Sequence, residues 1–477
     1  MPQQRNRREP NTPHLPRAGR VRPRALVASQ PMTLTTPLGM ALGLALGLGA
    51  AAPARAENLL ELYQAALAYD ATYLGARAQA SSAQYRLAQT GALRLPTANL
   101  LASVTRSGSD VPYSFDNFYG NANVLSLTAR QPLYNRANSK TISQAEKSYE
   151  IAKADFDTAE QDLILRVSQA YFDVLAAQDN FETTRANKAA IVETLASAKR
   201  NFEVGTATIT DTREAQARFD LTTAQEIAAN NDLQIKRATL DNLVGRSGVK
   251  PNPLAIPVAI PPLARADVGD WLLGADAQSP NVRKAQLAYD IAQLETEKAR
   301  AGHLPTLDLV GSVGGSRNTG ISGAGTGTGV LPGTFRNGAI GLQLNVPIFS
   351  GYAVENRVKE TIDLAEKARD DLDGAKRSVA LGTRTAFLGV QSGMAQVKAL
   401  EAAESSSQLA VESTKLGYKV GVRVNIDVLN AESQLYTTRA QLAKARYDVL
   451  LGGLRLRQAA GHLTAEDVAE VNRLLQR

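Results

Sequence analysis

The chain has 477 residues, a formal net charge of +7 and no cysteine. Its length allows two or three ordinary domains or one large repeated domain, and the missing cysteine excludes disulfides, a thiol nucleophile and amino-terminal lipid attachment. The excess positive charge lies in residues 1–56, which hold eight arginines and one acidic residue and leave 45 basic and 45 acidic residues in the remainder. A neutral body has no general attraction for phosphate, which argues against nucleic-acid binding.

Residues 1–56 have the three parts of a secretory signal peptide and leader. Arginine-rich residues precede the apolar stretch LGMALGLALGLGAAA at 38–52, and the small residues ARA at 54–56 fit a cleavage site before Glu57. The apolar stretch is short for a membrane-spanning helix. We therefore expect an exported protein, and a disordered tail before a short buried helix is the alternative.

Two proline-free tracts, between Pro132 and Pro251 and after Pro347, are rich in alanine, glutamine, glutamate, lysine and leucine. These residues favour helix, and the tracts predict long helical hairpins at 137–244 and 353–460. One apolar stripe at coiled-coil spacing consists of Leu163, Val167, Ala170, Val174 and Ala177. Helices of this length are rare in globular domains, so the sequence predicts an extended structure.

Four glycines of the second hairpin lie within about 100° of one another on an ideal helix. They are Gly374, Gly382, Gly389 and Gly393. Because glycine has no Cβ, this face predicts a close approach by another backbone.

Four segments alternate between apolar and polar residues with period two, which predicts half-buried strands. They lie at 97–106, 123–133, 306–313 and 339–348. Each is near the roughly 9–11 residues that cross a bilayer when tilted, and long loops join the pairs at 107–122 and 314–338. This combination is typical of an outer-membrane barrel, and a soluble sheet packed on the helices is the alternative.

Four strands are too few to close a membrane barrel, because the smallest barrels have about eight. An open strand edge is not tolerated in lipid. At least two chains must therefore contribute strands, and strand counting allows either a dimer or a trimer.

The predicted elements occur twice, which divides the chain into two structural repeats. The predicted divisions are a leader at 1–56, a first repeat at 57–245, a proline-rich connector at 246–267, a second repeat at 268–460 and a carboxyl-terminal tail at 461–477. Within the second repeat, a helix is expected to start with Ser279 as its cap and Pro280 at its first position.

A glycine-containing turn is repeated between the helices of the two hairpins. NFEVGTATITD at 201–211 and GYKVGVRVNID at 417–427 place Val-Gly and an aspartate at the same positions, 216 residues apart. Helix statistics alone explain the polar residues as caps, with Asp211 and Glu214 forming a capping box and with Asn425 and Asp427 in a favourable first turn. Glycine alone explains the reversal of the backbone.

The order and spacing of several motifs resemble the TolC family of outer-membrane efflux and secretion channels over 57–477. The motifs are ENLLELYQAAL, LRLPTANL, GHLPTLDL, TARQPLYN, LNVPIFSG, AYFDVLAAQ, the two turns, and ARYDVLLGGLRLRQAAGHL. The resemblance implies an α+β membrane protein that forms a homotrimer. Four strands from each chain would form a 12-stranded outer-membrane β-barrel, and the long helical hairpins would form a periplasmic α-barrel.

The same resemblance implies roles for residues at the repeated turns. Gate residues that hold the inner helices against their neighbours would be Thr210, Asp211, Tyr418 and Arg423, with Tyr418 bonded to Asp211 and Arg423 engaging Thr210 and Asp211. The pore constriction, where the family has two acids one helical turn apart, would hold Asp427 and, in the second position, Asn430. Turns that dock a periplasmic adaptor would be formed by Val204, Gly205, Val420 and Gly421. A single acidic ring predicts a weaker preference for cations.

The sequence therefore predicts a non-enzymatic exit duct in the outer membrane of a Gram-negative bacterium, extending into the periplasm. Only three histidines occur, at 14, 303 and 462, without metal-ligand spacing, and no phosphate-binding loop follows a strand. We expect no cofactor and no metal. The expected partners are two further copies of the chain, a periplasmic adaptor, an inner-membrane transporter of ABC, RND or MFS type, and outer-membrane lipid. A periplasmic or surface coiled-coil scaffold without a pore is the alternative.

Overall fold

The computed structural model describes residues 57–109, 118–255, 261–263, 265–319 and 332–476. The predicted signal peptide, the middle of each predicted loop between strands and part of the predicted connector lie outside these residues. The description that follows concerns the unit that begins after the leader.

The same order of helices and strands occurs twice along the described chain, in two structural repeats. In the first, α1 spans Leu59–Tyr69, α2 Ala71–Gly91, β1 Thr97–Ser109, β2 Phe118–Tyr134, α3 Arg136–Glu203 and α4 Ile209–Val244. In the second, α5 spans Val268–Gln278, α6 Pro280–Arg300, β3 Thr306–Thr319, β4 Gly333–Asn345, α7 Ala353–Lys419 and α8 Asn425–Ala459. A last helix, α9, spans Ala465–Asn472.

The four predicted strands form one antiparallel sheet in the order β1-β2-β3-β4. Each strand is longer than predicted at the end that faces the predicted loops. Residues that the sequence assigned to loops join the sheet there, because pairs such as Ser107 with Gly120 and Ser316 with Phe335 satisfy the hydrogen-bonding groups of their backbones. Strand β4 ends at Asn345, three residues before the predicted end at 348. Pro347 has no N–H to donate to a neighbouring strand and is disfavoured inside a sheet.

One face of this sheet is apolar and uncovered. Register places Leu100 opposite Leu127, and Leu127 in turn opposite Val313, while Leu309 lies opposite Leu342 and Leu307 opposite Leu344. Exposed fractions in the single chain include 80% for Ile340 and 66% for Leu342. The predicted alternation is thus correct, although no apolar layer of the described chain covers this face.

The long helices provide the rest of the structure. Helix α3 has 68 residues and α7 has 67, which corresponds to lengths of about 100 Å each. The predicted stripe on α3 is buried, with Leu163, Val167 and Val174 fully inaccessible to solvent. None of the described helices is both long and apolar enough to cross a membrane.

The glycine face predicted on α7 is not approached by another backbone within the chain. A Cβ built on Gly374, Gly382 or Gly389 would meet nothing within 4 Å, and one on Gly393 would meet the side chain of Val449 at 2.9 Å. Of these four glycines only Gly393 faces α8, and the other three are open in the described chain.

The main core joins the start and the end of the chain near the middle of α3. Buried residues of α1, α3, α4, α8 and α9 form it, including Leu59, Tyr171 and Leu454. The segment predicted as a tail contains α9, whose Asp467 and Glu470 pair with Arg457. Beyond α9, backbone hydrogen bonds attach 474–476 to 253–255. The end of the chain is therefore packed against the connector instead of forming a free tail.

Candidate functional site

The two repeated turns have the same backbone geometry. Gly205 and Gly421 have φ angles of +80° and +79°, a region that favours glycine. Equivalent hydrogen bonds close the turns, because the N–H of Thr206 donates to the carbonyl of Asn201 at 2.8 Å and the N–H of Val422 donates to that of Gly417 at 2.9 Å. The sequence repeat is therefore a repeat of structure.

Apolar side chains are exposed at the two turns, which form the tips of the helical hairpins. Val204 is 72% exposed, Val420 65% and Val422 78%. Three exposed valines at helix ends form a surface that water does not favour. In the single chain these valine side chains are accessible for contact with a partner.

Asp211 is engaged at the start of α4 by its own turn. Its Oδ2 accepts hydrogen bonds from the N–H of Thr208 at 2.9 Å and from the Thr208 hydroxyl at 2.7 Å, and the N–H of Asp211 donates back to Thr208 Oγ1 at 3.2 Å. The predicted capping box of Asp211 with Glu214 is wrong. Because α4 begins at Ile209, Thr208 is the cap and Asp211 is its partner three residues on.

The other predicted gate residues lie at the same end of the helices and also have local partners. The Tyr418 hydroxyl accepts a hydrogen bond from Asn201 Nδ2 at 3.3 Å. Arg423 pairs with Asp427, one turn further along, at 3.6 Å. Thr210 is exposed beside them. Within the described part of one chain, Tyr418 does not bond to Asp211, nor does Arg423 reach Thr210 or Asp211. The contacts between neighbouring inner helices stay predictions.

Two contacts between the halves of the chain at this end were not predicted. Asn425, which is buried, donates from Nδ2 to the backbone carbonyl of Asp211 at 3.4 Å. Arg218 on α4 donates from Nη2 to Asn430 Oδ1 at 2.7 Å. Both join α4 to α8 across more than 200 residues of sequence, and periodicity within one helix carries no signal of such a pair.

An ion pair between a half-exposed lysine and a buried glutamate lies about one helical turn further from the tips. Lys415 Nζ of α7 is 2.7 Å from Glu432 Oε1 of α8, whose side chain is only 2% exposed. Burial alone would lower the pKa of Lys415, but the adjacent Glu432 carboxylate outweighs it and the pKa is raised. Beside the pair, a small apolar cluster of Ile191, Leu195, Ala198, Ala215 and Leu429 joins α3, α4 and α8. This ion pair and the minor core therefore add to the hydrogen bonds that join the helices at this end.

Two further observations concern metal ligands and a cavity away from the turns. No group of three or more metal-ligating side chains occurs among the residues that the structure describes. A cavity of about 910 Å³ lies between α2, α3, α4 and α8. On its wall Arg166 donates to both carboxylate oxygens of Asp70 at 2.8 Å, and this hydrogen bonding lowers the pKa of Asp70. Asp70 also caps α2 through the N–H of Tyr73, so the pair has a structural role.

Known proteins match this chain over most of its length. The family described as outer membrane efflux protein matches residues 62–246 and 271–462. The Outer membrane protein TolC of Vibrio cholerae serotype O1 is 34% identical over 418 residues, which cover 87% of this chain and 93% of the relative. The Alkaline protease secretion protein AprF of Pseudomonas aeruginosa is 33% identical over 425 residues, 86% of each.

A solved structure supports the same fold. The outer membrane protein VceC from Vibrio cholerae aligns with a TM-score of 0.71 at 21% identity, covering 84% of this chain and 96% of that one. The predicted resemblance to the TolC family and the predicted outer-membrane location are confirmed. The chain belongs to the outer membrane efflux protein family and is an outer-membrane exit duct for efflux or type I secretion.

Proposed function

We propose that three copies of the chain assemble into one duct, with a 12-stranded barrel in the outer membrane and a tunnel of 12 helices in the periplasm. The observation that carries this proposal is the sheet, which combines an exposed apolar face with two unpaired edges, β1 and β4, in the described chain. Lipid would cover the apolar face, and β4 of one copy would pair with β1 of the next. Closure by neighbouring copies removes every edge, as lipid requires.

Introduced cysteines test this assembly, since the chain has none of its own. Ala98 lies at the start of β1 and Leu344 near the end of β4, so both lie at the same end of the antiparallel sheet. The variant Ala98→Cys/Leu344→Cys, with Leu342→Cys as the alternative register, should give a covalent ladder that ends at three chains. Each single-cysteine variant is the control and should give none. A ladder that ends at two chains would contradict the trimer, and a chain that never cross-links would favour the scaffold.

We propose that Thr210, Asp211, Tyr418 and Arg423 close the periplasmic end of this duct. All four lie at the two tips, where α4 and α8 begin and α7 ends. Their hydrogen-bonding groups are exposed or held by single local partners, which contacts between neighbouring helices can replace. Exposed ionic contacts contribute roughly 0.2–1 kcal/mol each, so three copies would bias closure by about 1–3 kcal/mol. That is enough to hold a pore shut and small enough for a docked partner to reverse.

The tips are also the proposed docking surface for a periplasmic adaptor that links the duct to an inner-membrane transporter. The identical turns and their exposed valines, Val204, Val420 and Val422, support this role. Because the name of AprF describes secretion of an alkaline protease, we include protein among the cargoes to be tested. Replacing Val204 and Val420 by aspartate should abolish export while trimers still form. Export at the wild-type level would contradict docking at these turns.

A further inference from the structure

The proposed constriction has a basic neighbour that the sequence pattern did not reveal. Arg218 Nη2 donates to Asn430 Oδ1 at 2.7 Å. An acidic residue at 430 would hold the same guanidinium through an ion pair. Asparagine accepts the hydrogen bond and fixes the arginine in place, but it does not neutralise the positive charge.

Within the described residues, Arg218 forms no ion pair. Glu214 lies one helical turn before it on α4, but the two side chains are not within ion-pair distance. Asp220, two residues later, accepts a hydrogen bond from Gln216 at 3.0 Å. Asp427 pairs with Arg423. The positive charge of Arg218 is therefore uncompensated by close contact.

The charged side chains of residues 211–218 and 423–430 set the charge at this level. Asp211, Glu214 and Asp427 contribute three negative charges for each chain, and Arg213, Arg218 and Arg423 contribute three positive charges, whereas Asn430 is neutral. The net charge is zero for each chain and would be −1 without Arg218. Rings of charged side chains set the preference of a pore for cations or anions, and a basic ring lowers the local concentration of cations.

We infer that Arg218, positioned by Asn430, is a selectivity-determining residue of the duct and removes the preference of its constriction for cations. The inference rests on the proposed function, because Arg218 can select ions only if this end of the helices surrounds a pore. Arg218 thus cancels the negative charge that would otherwise remain at this level. The neutral Asn430 then holds the charged guanidinium of Arg218 in position.

The test is the ratio of potassium to chloride permeability, obtained from reversal potentials of reconstituted channels across a KCl gradient. We expect the wild type to show little preference between the two ions. Arg218→Gln removes the charge and Asn430→Asp neutralises it, so each should raise the ratio at least about threefold, the effect of a unit charge about 7 Å from an ion in water. Arg218→Lys keeps the charge and should keep the wild-type ratio.

A matched control removes the same charge elsewhere. Arg77 is exposed on α2, which packs against α3 near Phe156 through Tyr73, about 70 Å along α3 from the tip. Arg77→Gln should leave the ratio unchanged. Channels of normal conductance whose ratio is the same in Arg218→Gln, Asn430→Asp and wild type would overturn the inference and leave the duct intact. Folded wild-type trimers that carry no current would instead overturn the proposed function itself.

Discussion

Asp211 has an observed role in local structure and a proposed role in closure. Its carboxylate accepts two hydrogen bonds from Thr208, and it stands at the start of a helix, where a negative charge is favourable. A cap of this kind stabilises the first turn of α4 whether or not a pore is present. The gating role requires a further contact with a neighbouring helix, and the two roles are separable by mutation.

Removing either side chain of the capping box, Thr208 or Asp211, should lower the free energy of unfolding by a similar amount. Thr208→Ala and Asp211→Ala should each reduce the free energy of unfolding by about 1 kcal/mol, since each removes the reciprocal hydrogen bonds of the cap. Thr208→Ser keeps the hydroxyl and should stay close to wild type. Thermal unfolding of the purified protein measures all three. Full stability of Thr208→Ala would show that the cap contributes little.

Glu295 on α6 gives the protein a defined sensitivity to acid. Burial raises its pKa, but hydrogen bonds from Gln144, Arg357 and Lys298 outweigh burial and lower the pKa from 4.5 to about 2. Because the folded pKa is depressed, the stabilisation is complete above pH 4.5 and is lost as pH falls toward 2. The unfolding temperature of the wild type should therefore fall more steeply over this range than that of Glu295→Gln. Glu366→Gln, a change at an exposed position in the interior of α7, should follow the wild type, and parallel curves for wild type and Glu295→Gln would contradict the account.

At the scale of elements, the two hairpins depend on a glycine at each reversal. Gly421 has φ +79° with nothing within 4 Å of a built Cβ, so the only obstacle to a side chain there is the backbone conformation. Gly421→Ala should cost about 1–2 kcal/mol of unfolding free energy. Gly75→Ala, in the helical and equally open environment of α2, should be neutral or stabilising by up to about 1 kcal/mol. Equal stability of the two variants, measured by thermal unfolding, would argue against a strained turn.

The elements also show which parts of this structure were predictable from sequence. Period-two alternation located all four strands, and proline-free tracts located the long helices, because each signal is local to one element. The outer ends of the strands were missed because their serine, glycine and asparagine residues are typical of loops, and pairing with a neighbouring strand overrides that preference. Arg218 with Asn430 and Lys415 with Glu432 depend on how helices pack, and no spacing within one helix indicates them. The close approach of another backbone to the glycine face of α7 does not occur within the described chain, and it stays a prediction.

At the scale of the whole molecule, the apolar sheet face must meet lipid if the chain forms a duct. Ile340 belongs to that face and Ala339, the adjacent residue on β4, points to the opposite one. Ile340→Arg should cost about 2–4 kcal/mol if it lies near the middle of the bilayer, and the yield of heat-modifiable trimers in the outer membrane should fall. Ala339→Arg, at the same depth but on the other face, should assemble normally. Equal yields would contradict the orientation of the sheet.

The claim that joins these scales is that the chain forms a trimeric pore closed at the helix tips. Single-channel conductance in planar bilayers tests it most directly, with wild type, Thr208→Ala and Asp211→Ala/Arg423→Ala compared as purified trimers. We predict small openings for the wild type and for Thr208→Ala, which loses the cap but keeps the gate carboxylate, and openings several times larger for the double variant. Equal conductance in all three would return Asp211 to a capping role alone. Properly folded trimers that carry no current would contradict the duct.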